Sequence, residues 1–266
     1  MSEDRTLGLT LGGGGAFGAA HVGVLQVLAE RGIRPGIATG TSSGALVAAG
    51  IEPAGIERAA LEFHWRAIAR FSAAPRWGLL DSAALAEGVR RVLGADPLIE
   101  QLPRRFAAVA TDLRTRRTVT IDEGPLSVAL RSTIAVPGLL PPVRRGGALL
   151  ADGGMLDNVP VDAARALGGA CVIVVRLHAK WENVRMMRTL GLTAELRRDP
   201  SVVLIEPEME GMAQWAMSDV PRLIAEGRRA ATVALDAAAR RNSGAGATPL
   251  ETSVSSGRKQ PGQRSA

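Results

Sequence analysis

The sequence predicts an α/β fold with a mostly parallel sheet, because one segment has the order strand, glycine loop, helix, strand of a βαβ unit. Residues 6–11 alternate apolar side chains as a strand does, and a helix with apolar spacing follows over residues 19–30. A second apolar strand begins at residue 37 and breaks into a Gly/Ser turn. Right-handed crossovers bring the carboxyl ends of parallel strands to one sheet edge, so the glycine loop and the turn must be neighbours.

The turn after the second strand has the Gly-x-Ser-x-Gly pattern of a nucleophile elbow, with Ser42 between Gly40 and Gly44. A serine on a tight strand-to-helix turn has its hydroxyl lifted clear of the sheet, and the flanking glycines let strand and helix pack closely. An ordinary helix-capping turn with Ser42 or Ser43 as N-cap has the same pattern. Ser42 is therefore a candidate nucleophile whose partners must come from elsewhere in the chain.

The glycine loop after the first strand has two interpretations. Its spacing, Gly13-x-Gly15-x-x-Gly18, matches a dinucleotide fingerprint, which requires an acidic residue at the end of the second strand. That position holds Thr39-Gly40-Thr41, and none of these is acidic. The interpretation we favour is an oxyanion hole beside Ser42, because a developing oxyanion must approach unhindered main-chain N–H groups.

A third segment supplies an acid. A short apolar strand over residues 148–151 ends in Asp152, which Gly153 and Gly154 follow. An Asp-Gly turn is common, but beside the elbow and the glycine loop this aspartate is placed to act as the base for Ser42. A rival Ser-Asp-His triad stays open through His178, the only histidine after Asp152.

The rest of the chain completes the α/β pattern. Further helices are predicted at residues 43–50, 54–73, 82–92, 126–134, 158–167 and 219–241. Further strands are predicted at residues 106–110, 118–121, 170–177 and 202–205. The aromatic helix at 54–73 is predicted to pack one face on the sheet, with an amphipathic cap over an acyl pocket as the alternative. His21 and His64 lie inside predicted helices and are assigned to packing or surface, and Asp81, Asp112 and Asp157 to structural roles.

Composition limits the class of protein. The 266 residues suit one α/β domain over residues 5–240, followed by a disordered basic tail over 241–266. The net charge of +6 is concentrated beyond residue 239, where five basic residues face one acidic residue, so a nucleic-acid-binding fold is not indicated. The tail suits transient contact with an anionic membrane surface. The single Cys171 is expected to be a buried core residue in a reducing compartment, and we expect a cytoplasmic protein without signal peptide or membrane span.

With these motifs in this order, the chain resembles the patatin-like phospholipases, in particular their compact bacterial members. The likeness covers roughly residues 6–235 and includes segments at 108–113, 134–138 and 157–160. It implies a three-layer α/β/α fold, lipid acyl hydrolase activity on a lipid or other ester, and a Ser-Asp dyad without catalytic histidine, metal or cofactor. By motif, Ser42 is then the nucleophile, Asp152 the general base, and the oxyanion hole consists of the amides of Gly13, Gly14 and Gly15. The remaining motif positions are Gly12, Gly18, Gly40, Gly44, Gly153 and Gly154.

Phe17 departs from the family pattern, which usually has Arg or Lys at this position. A cation there supports the oxyanion loop or sits near an anionic headgroup, and the sequence gives phenylalanine neither role. The alternative function is therefore a lipid-binding or membrane-binding member with weak or no hydrolysis. Arg144 and Arg145 precede Asp152 and are an alternative source of charge, although solvated surface is their more usual role. The sequence leaves the oligomeric state open.

Overall fold

The computed structural model describes residues 6–50, 70–71, 80–82, 85–88, 90, 95–177, 192–213 and 218–243. Its strands are β1 (Leu7–Leu11), β2 (Ile37–Thr41), β3 (Arg70–Phe71), β4 (Leu80–Asp81), β5 (Arg105–Asp112), β6 (Arg117–Ile121), β7 (Val143–Arg145), β8 (Ala148–Asp152), β9 (Cys171–Val175) and β10 (Val202–Ile205). Its helices are α1 (Ala19–Glu30), α2 (Ser43–Ala48), α3 (Leu126–Thr133), α4 (Val161–Ala166), α5 (Leu192–Arg198) and α6 (Val220–Ser243).

The central sheet has eight strands in the order β10-β9-β1-β2-β5-β8-β7, with β6 paired to β5 as a branch. The strands from β10 to β5 are all parallel to one another. Within this sheet, the antiparallel pairs of the described residues all involve β6, β7 or β8. The predicted mostly parallel sheet is confirmed, and its antiparallel part is a set of hairpins attached to β5.

Helices cover both faces of the sheet. In β9, Ile173 and Val175 belong to the larger apolar core together with side chains of α1, α3 and α6. The alternate residues Val172 and Val174 belong to a second core with side chains of α4 and α5. A strand that is apolar on both faces is typical of a parallel sheet between two helical layers. The three-layer α/β/α fold is therefore confirmed.

β5 determines which strand ends meet at the edge of the sheet that carries Ser42 and Asp152. Val109 pairs with Thr41 of β2 and also with β6, and Ala110 pairs with Asp152 of β8 and also with β6. Because a strand has only two edges, β6 occupies one of them, and β2 and β8 share the other end to end. β2 and β8 run toward each other along β5, so Thr41 and Asp152 lie opposite adjacent residues of that strand.

Several local predictions need correction. Residues 70–71 form a strand instead of the end of a helix, and most of the aromatic segment 54–73 lies outside the described residues. The sequence pattern missed β7 and α5, because each is too short to show a clear period. Cys171 is half-buried, not buried, since it is the first residue of β9. The domain boundary at 240/241 stays a prediction.

Candidate active site

Ser42 lies on a strained turn between β2 and α2. Its backbone has φ 53° and ψ −125°, a conformation that residues with a Cβ rarely adopt. A Cβ on Gly40 would lie 2.5 Å from the Ala45 nitrogen, and one on Gly44 would overlap the Leu11 carbonyl. Strand, turn and helix therefore pack too closely for any other residue at the two flanks. This is the geometry of a nucleophile elbow, with Ser42 only 7% exposed.

Thr133, the last residue of α3, holds the elbow from the side. The Ser42 N–H donates to Thr133 Oγ1 at 2.8 Å, and the Thr133 hydroxyl donates to the Val109 carbonyl. Both contacts are buried, so the Ser42 amide has a fixed partner within the protein. The sequence analysis missed this residue, because nothing in a helical pattern marks one threonine as an anchor for a distant turn.

Thr133→Val is expected to lower the free energy of unfolding by about 1–3 kcal/mol and to lower the rate of hydrolysis. The valine has the shape of threonine but leaves the Ser42 N–H and the Val109 carbonyl buried without their partner. Urea denaturation and ester hydrolysis measure the two effects. Thr133→Ser keeps the hydroxyl and is the control, so a valine variant as stable and as active as the serine variant would contradict the anchoring role.

Asp152 lies at the end of β8 with its carboxyl group buried. Its Oδ1 accepts a hydrogen bond from the Gly154 N–H at 2.8 Å. Its Oδ2 forms no hydrogen bond of ordinary geometry with a described residue, yet the Ser42 hydroxyl lies near enough to affect the carboxyl. Burial raises the pKa of Asp152 to about 6, against the lowering effects of Ser42 and Gly154. A carboxylate with this pKa is a stronger base toward a serine hydroxyl than an exposed aspartate.

The glycine loop lies directly against Ser42, because a Cβ on Gly13 would come within 3.2 Å of the Ser42 Cβ. The Gly13 N–H donates to the Asn158 carbonyl at 3.1 Å, and the Gly14 N–H donates to Ser43 Oγ at 3.1 Å. The Gly15 N–H has no hydrogen bond with the described residues. This narrows the prediction that all three amides face the substrate: two of them already have protein acceptors. The acceptor for Gly14 is a side-chain hydroxyl, which a substrate oxygen can replace.

Two buried side chains that the sequence analysis did not assign to the site hold the loop in place. His21 Nε2 donates to the Gly12 carbonyl at 2.8 Å, and Asn158 Nδ2 donates to the Gly13 carbonyl at 3.2 Å. Burial lowers the pKa of His21 to about 4, opposed by the Gly12 hydrogen bond, so the ring is neutral. His21 therefore acts as a neutral donor to the loop. The rival base His178, like His64, lies outside the described residues.

The other motif glycines surround the same site. They are Gly12, Gly18, Gly153 and Gly154. Gly12 donates its N–H to the Val175 carbonyl at 2.9 Å, and Gly18 lies against Ser43. Among the described residues, no group of three or more His, Cys, Asp and Glu is arranged to hold a metal ion.

Phe17 is 1% exposed and belongs to the larger apolar core. Phe17 lies in the short 3-10 turn Gly15–Gly18, which begins directly after Gly14. A Cβ placed on Gly14 would lie 3.3 Å from the Phe17 Cβ. The side chain is therefore part of the apolar core beside the glycine loop. That a phenylalanine cannot replace the cation at this position stays a prediction.

The fold and the site define an α/β protein with an elbow serine and a buried aspartate at the carboxyl edge of a mixed sheet. Residues 9–165 match the family model described as Patatin-like phospholipase, and the chain belongs to that family. An uncharacterized NTE family protein of Mycobacterium tuberculosis H37Rv is 39% identical over 205 residues, which cover 73% of this chain and 55% of that protein. The mouse Patatin-like phospholipase domain-containing protein 6 is 32% identical over 193 residues, which cover 67% of this chain and 14% of that protein.

A solved structure shows the same fold. The crystal structure of VipD from Legionella pneumophila matches with a TM-score of 0.51 at 15% identity, covering 88% of this chain and 67% of that chain. The chain spans about half the length of the mycobacterial relatives that it matches. None of the helices in the described part of the chain is long and apolar enough to cross a bilayer.

Proposed function

We propose that the protein is a lipid acyl hydrolase that cleaves carboxylic esters with Ser42 as nucleophile and Asp152 as general base. Membership of the patatin-like phospholipase family supports lipid hydrolysis as the class of activity. The observation that carries the finer proposal is the meeting of β2 and β8 on one edge of β5, which sets the strained Ser42 beside a buried carboxyl group.

In the proposed reaction the Asp152 carboxylate accepts the hydroxyl proton as Ser42 Oγ attacks the ester carbonyl carbon. The oxyanion takes hydrogen bonds from the Gly15 N–H and from the Gly14 N–H, where it replaces Ser43 Oγ. The C–O bond of the ester then breaks, and Asp152 returns the proton to the departing alcohol. Water attacks the acyl-serine with Asp152 again as base, which releases the fatty acid and restores Ser42.

The direct test uses the full chain with a short and a long p-nitrophenyl ester and with phosphatidylcholine vesicles. Release of nitrophenol and of fatty acid is expected, together with covalent labelling of Ser42 by an alkyl fluorophosphonate, located by peptide mass spectrometry. Labelling at another serine, or loss of activity in a folded His178→Ala variant, would contradict the Ser-Asp assignment. A folded chain that is inert toward every ester and the phosphonate, yet binds fatty acid, would establish the lipid-binding alternative.

Phe17→Arg is expected to destabilise the protein by at least about 3 kcal/mol and not to raise its activity. The substitution places a guanidinium where the present side chain is 1% exposed, and a buried charge without a partner is costly. Thermal and urea denaturation measure the loss, with Phe17→Leu as the control for packing alone. An arginine variant as stable as the leucine variant and more active than wild type would show that the loop needs a cation.

A further inference from the structure

We propose that the tips of two adjacent hairpins, residues 113–117 and 143–147, dock the protein onto an anionic lipid surface. We call these ten residues the basic tip. Docking itself requires no hydrolysis. Its role of bringing Ser42 to a lipid substrate rests on the proposed function.

The basic tip lies at the same end of the parallel strands as Ser42 and Asp152. β5 continues past Ala110, the partner of Asp152, and ends at Asp112, so Leu113 lies three residues beyond Ala110. At about 3.3 Å per residue, Leu113 stands roughly 10 Å beyond Asp152 in the direction in which the parallel strands end. The β7–β8 hairpin extends equally far, because Arg114 Nη1 donates to the Gly147 carbonyl at 2.8 Å. Among the described residues, the tip therefore extends further in this direction than Asp152 does.

The charge of the basic tip is locally concentrated. Five of its ten residues are arginines and none is acidic, whereas basic residues make up about one in eight of the whole chain. These arginines are Arg114, Arg116, Arg117, Arg144 and Arg145. Glu123 lies 3.8 Å from Arg145 and offsets part of the charge. Within the described part of the chain, no ion pair engages Arg116, Arg117 or Arg144, and all three are exposed.

The tip is also preorganised. The buried carboxylate of Asp112 accepts hydrogen bonds from the Arg114 N–H at 3.1 Å, the Thr115 hydroxyl at 2.7 Å and the Leu149 N–H at 3.1 Å. These bonds fix the β5–β6 turn and tie it to β8. The backbone that carries the arginines of this turn is therefore held in one conformation, which reduces the conformational entropy lost on binding.

An exposed leucine in the basic tip favours a lipid surface over other polyanions as the binding partner. Leu113 is 36% exposed and is one of two large apolar residues with at least that exposure in the described part of the chain. Arginines that bind phosphates around an apolar side chain match the headgroup and acyl layers of a bilayer. The basic tip has no aromatic residue on which a nucleic-acid base could stack. The occupant we infer is therefore a bilayer surface rich in anionic phospholipid.

The test compares the full chain with a triple variant, Arg116→Gly, Arg117→Gln and Arg144→Gln. Arg116 has φ 55°, which glycine adopts without strain, so this change removes charge without disturbing the turn. Arg114 and Arg145 are left in place because they hydrogen-bond to backbone carbonyls. The matched control removes three exposed arginines elsewhere, in Arg34→Gln, Arg198→Gln and Arg241→Gln. Residues beyond 243 are identical in every variant.

Cosedimentation with phosphatidylcholine vesicles, with and without phosphatidylglycerol, measures binding at low and high salt. Wild type is expected to bind the anionic vesicles more tightly. The triple variant is expected to bind about a hundredfold more weakly, at roughly fivefold per arginine, whereas the control changes little. The difference should shrink at high salt. Leu113→Ser is expected to weaken binding at both salt concentrations, because its contribution is apolar.

Equal losses in the triple variant and the control would overturn the proposal, as would tighter binding of wild type to duplex DNA than to anionic vesicles. Hydrolysis of p-nitrophenyl butyrate in solution is measured in parallel and is expected to be the same in the triple variant and wild type. A chain that binds anionic vesicles through the tip but hydrolyses no ester would refute the proposed function and leave the docking surface intact. Hydrolysis without tip-dependent binding would refute the docking surface alone.

Discussion

Ser42→Ala is expected to lower kcat/KM for ester hydrolysis by at least about a thousandfold, because the substitution removes the attacking oxygen. The elbow itself should persist, since the Ser42 N–H keeps its hydrogen bond to Thr133. Steady-state kinetics with p-nitrophenyl butyrate measure the loss, and the fluorophosphonate should no longer label the protein.

Ser43→Ala is the matched control, because it changes the adjacent serine. The Ser43 hydroxyl accepts the Gly14 N–H, so its removal leaves that amide free for a substrate oxyanion. We expect the variant to retain hydrolysis within about tenfold of wild type, since it loses no reacting group. If Ser43→Ala lost activity while Ser42→Ala kept it, Ser43 and not Ser42 would be the nucleophile.

Asp152→Asn is expected to lower kcat/KM by at least about a hundredfold, because an amide cannot accept the Ser42 proton. In wild type, kcat/KM should rise with pH, be half-maximal near pH 6 and level off at higher pH, since burial raises the pKa of Asp152 to about 6 and only the ionised form is a base. Burial and the nearby Asp162 also raise the pKa of Asp157 to about 6, so the profile alone does not identify the group. Asp157→Asn is therefore the control, and it should keep both the activity and the pH step.

The same substitution should change stability with a definite sign. An aspartate whose pKa is 3.8 unfolded and about 6 folded costs the folded state about 3 kcal/mol once it is ionised at pH 8, and almost nothing well below pH 3.8. Asp152→Asn keeps an acceptor for the Gly154 N–H and removes that cost. The variant should therefore be more stable than wild type by up to about 3 kcal/mol at pH 8, and nearly equal to it at pH 4.

Urea denaturation of variant and wild type at both pH values measures the difference in their free energies of unfolding. The pH dependence of wild type alone would not reveal the contribution of Asp152. The pKa of His21 is lowered from 6.5 to about 4, so His21 removes stability as the pH falls through that range, while Asp152 adds it. Only the difference between variant and wild type isolates Asp152. The same stabilisation at pH 4 and pH 8 would show that the ionised carboxylate carries no burial cost.

The parts of this protein that sequence reasoning predicted correctly are those in which local pattern decides structure. The run from β1 to α2 follows from apolar periodicity and from glycines at positions where strand, turn and helix approach closely. The rule that parallel strands end at one edge then places the glycine loop beside Ser42. Asp152 could be proposed in the same way, because it ends an apolar strand and precedes two glycines.

By itself, then, the sequence determined the fold class, the elbow and the identity of the candidate acid, whereas tertiary structure decided how they meet. The end-to-end arrangement of β2 and β8 on β5 depends on strand register, and Thr133 anchors Ser42 across 91 positions. The hydrogen bonds that occupy the Gly13 and Gly14 amides, and the neutral His21 beneath the loop, likewise join distant segments or buried atoms. Local periodicity carries no information about such contacts, because register and buried hydrogen bonds are set by packing of the whole chain.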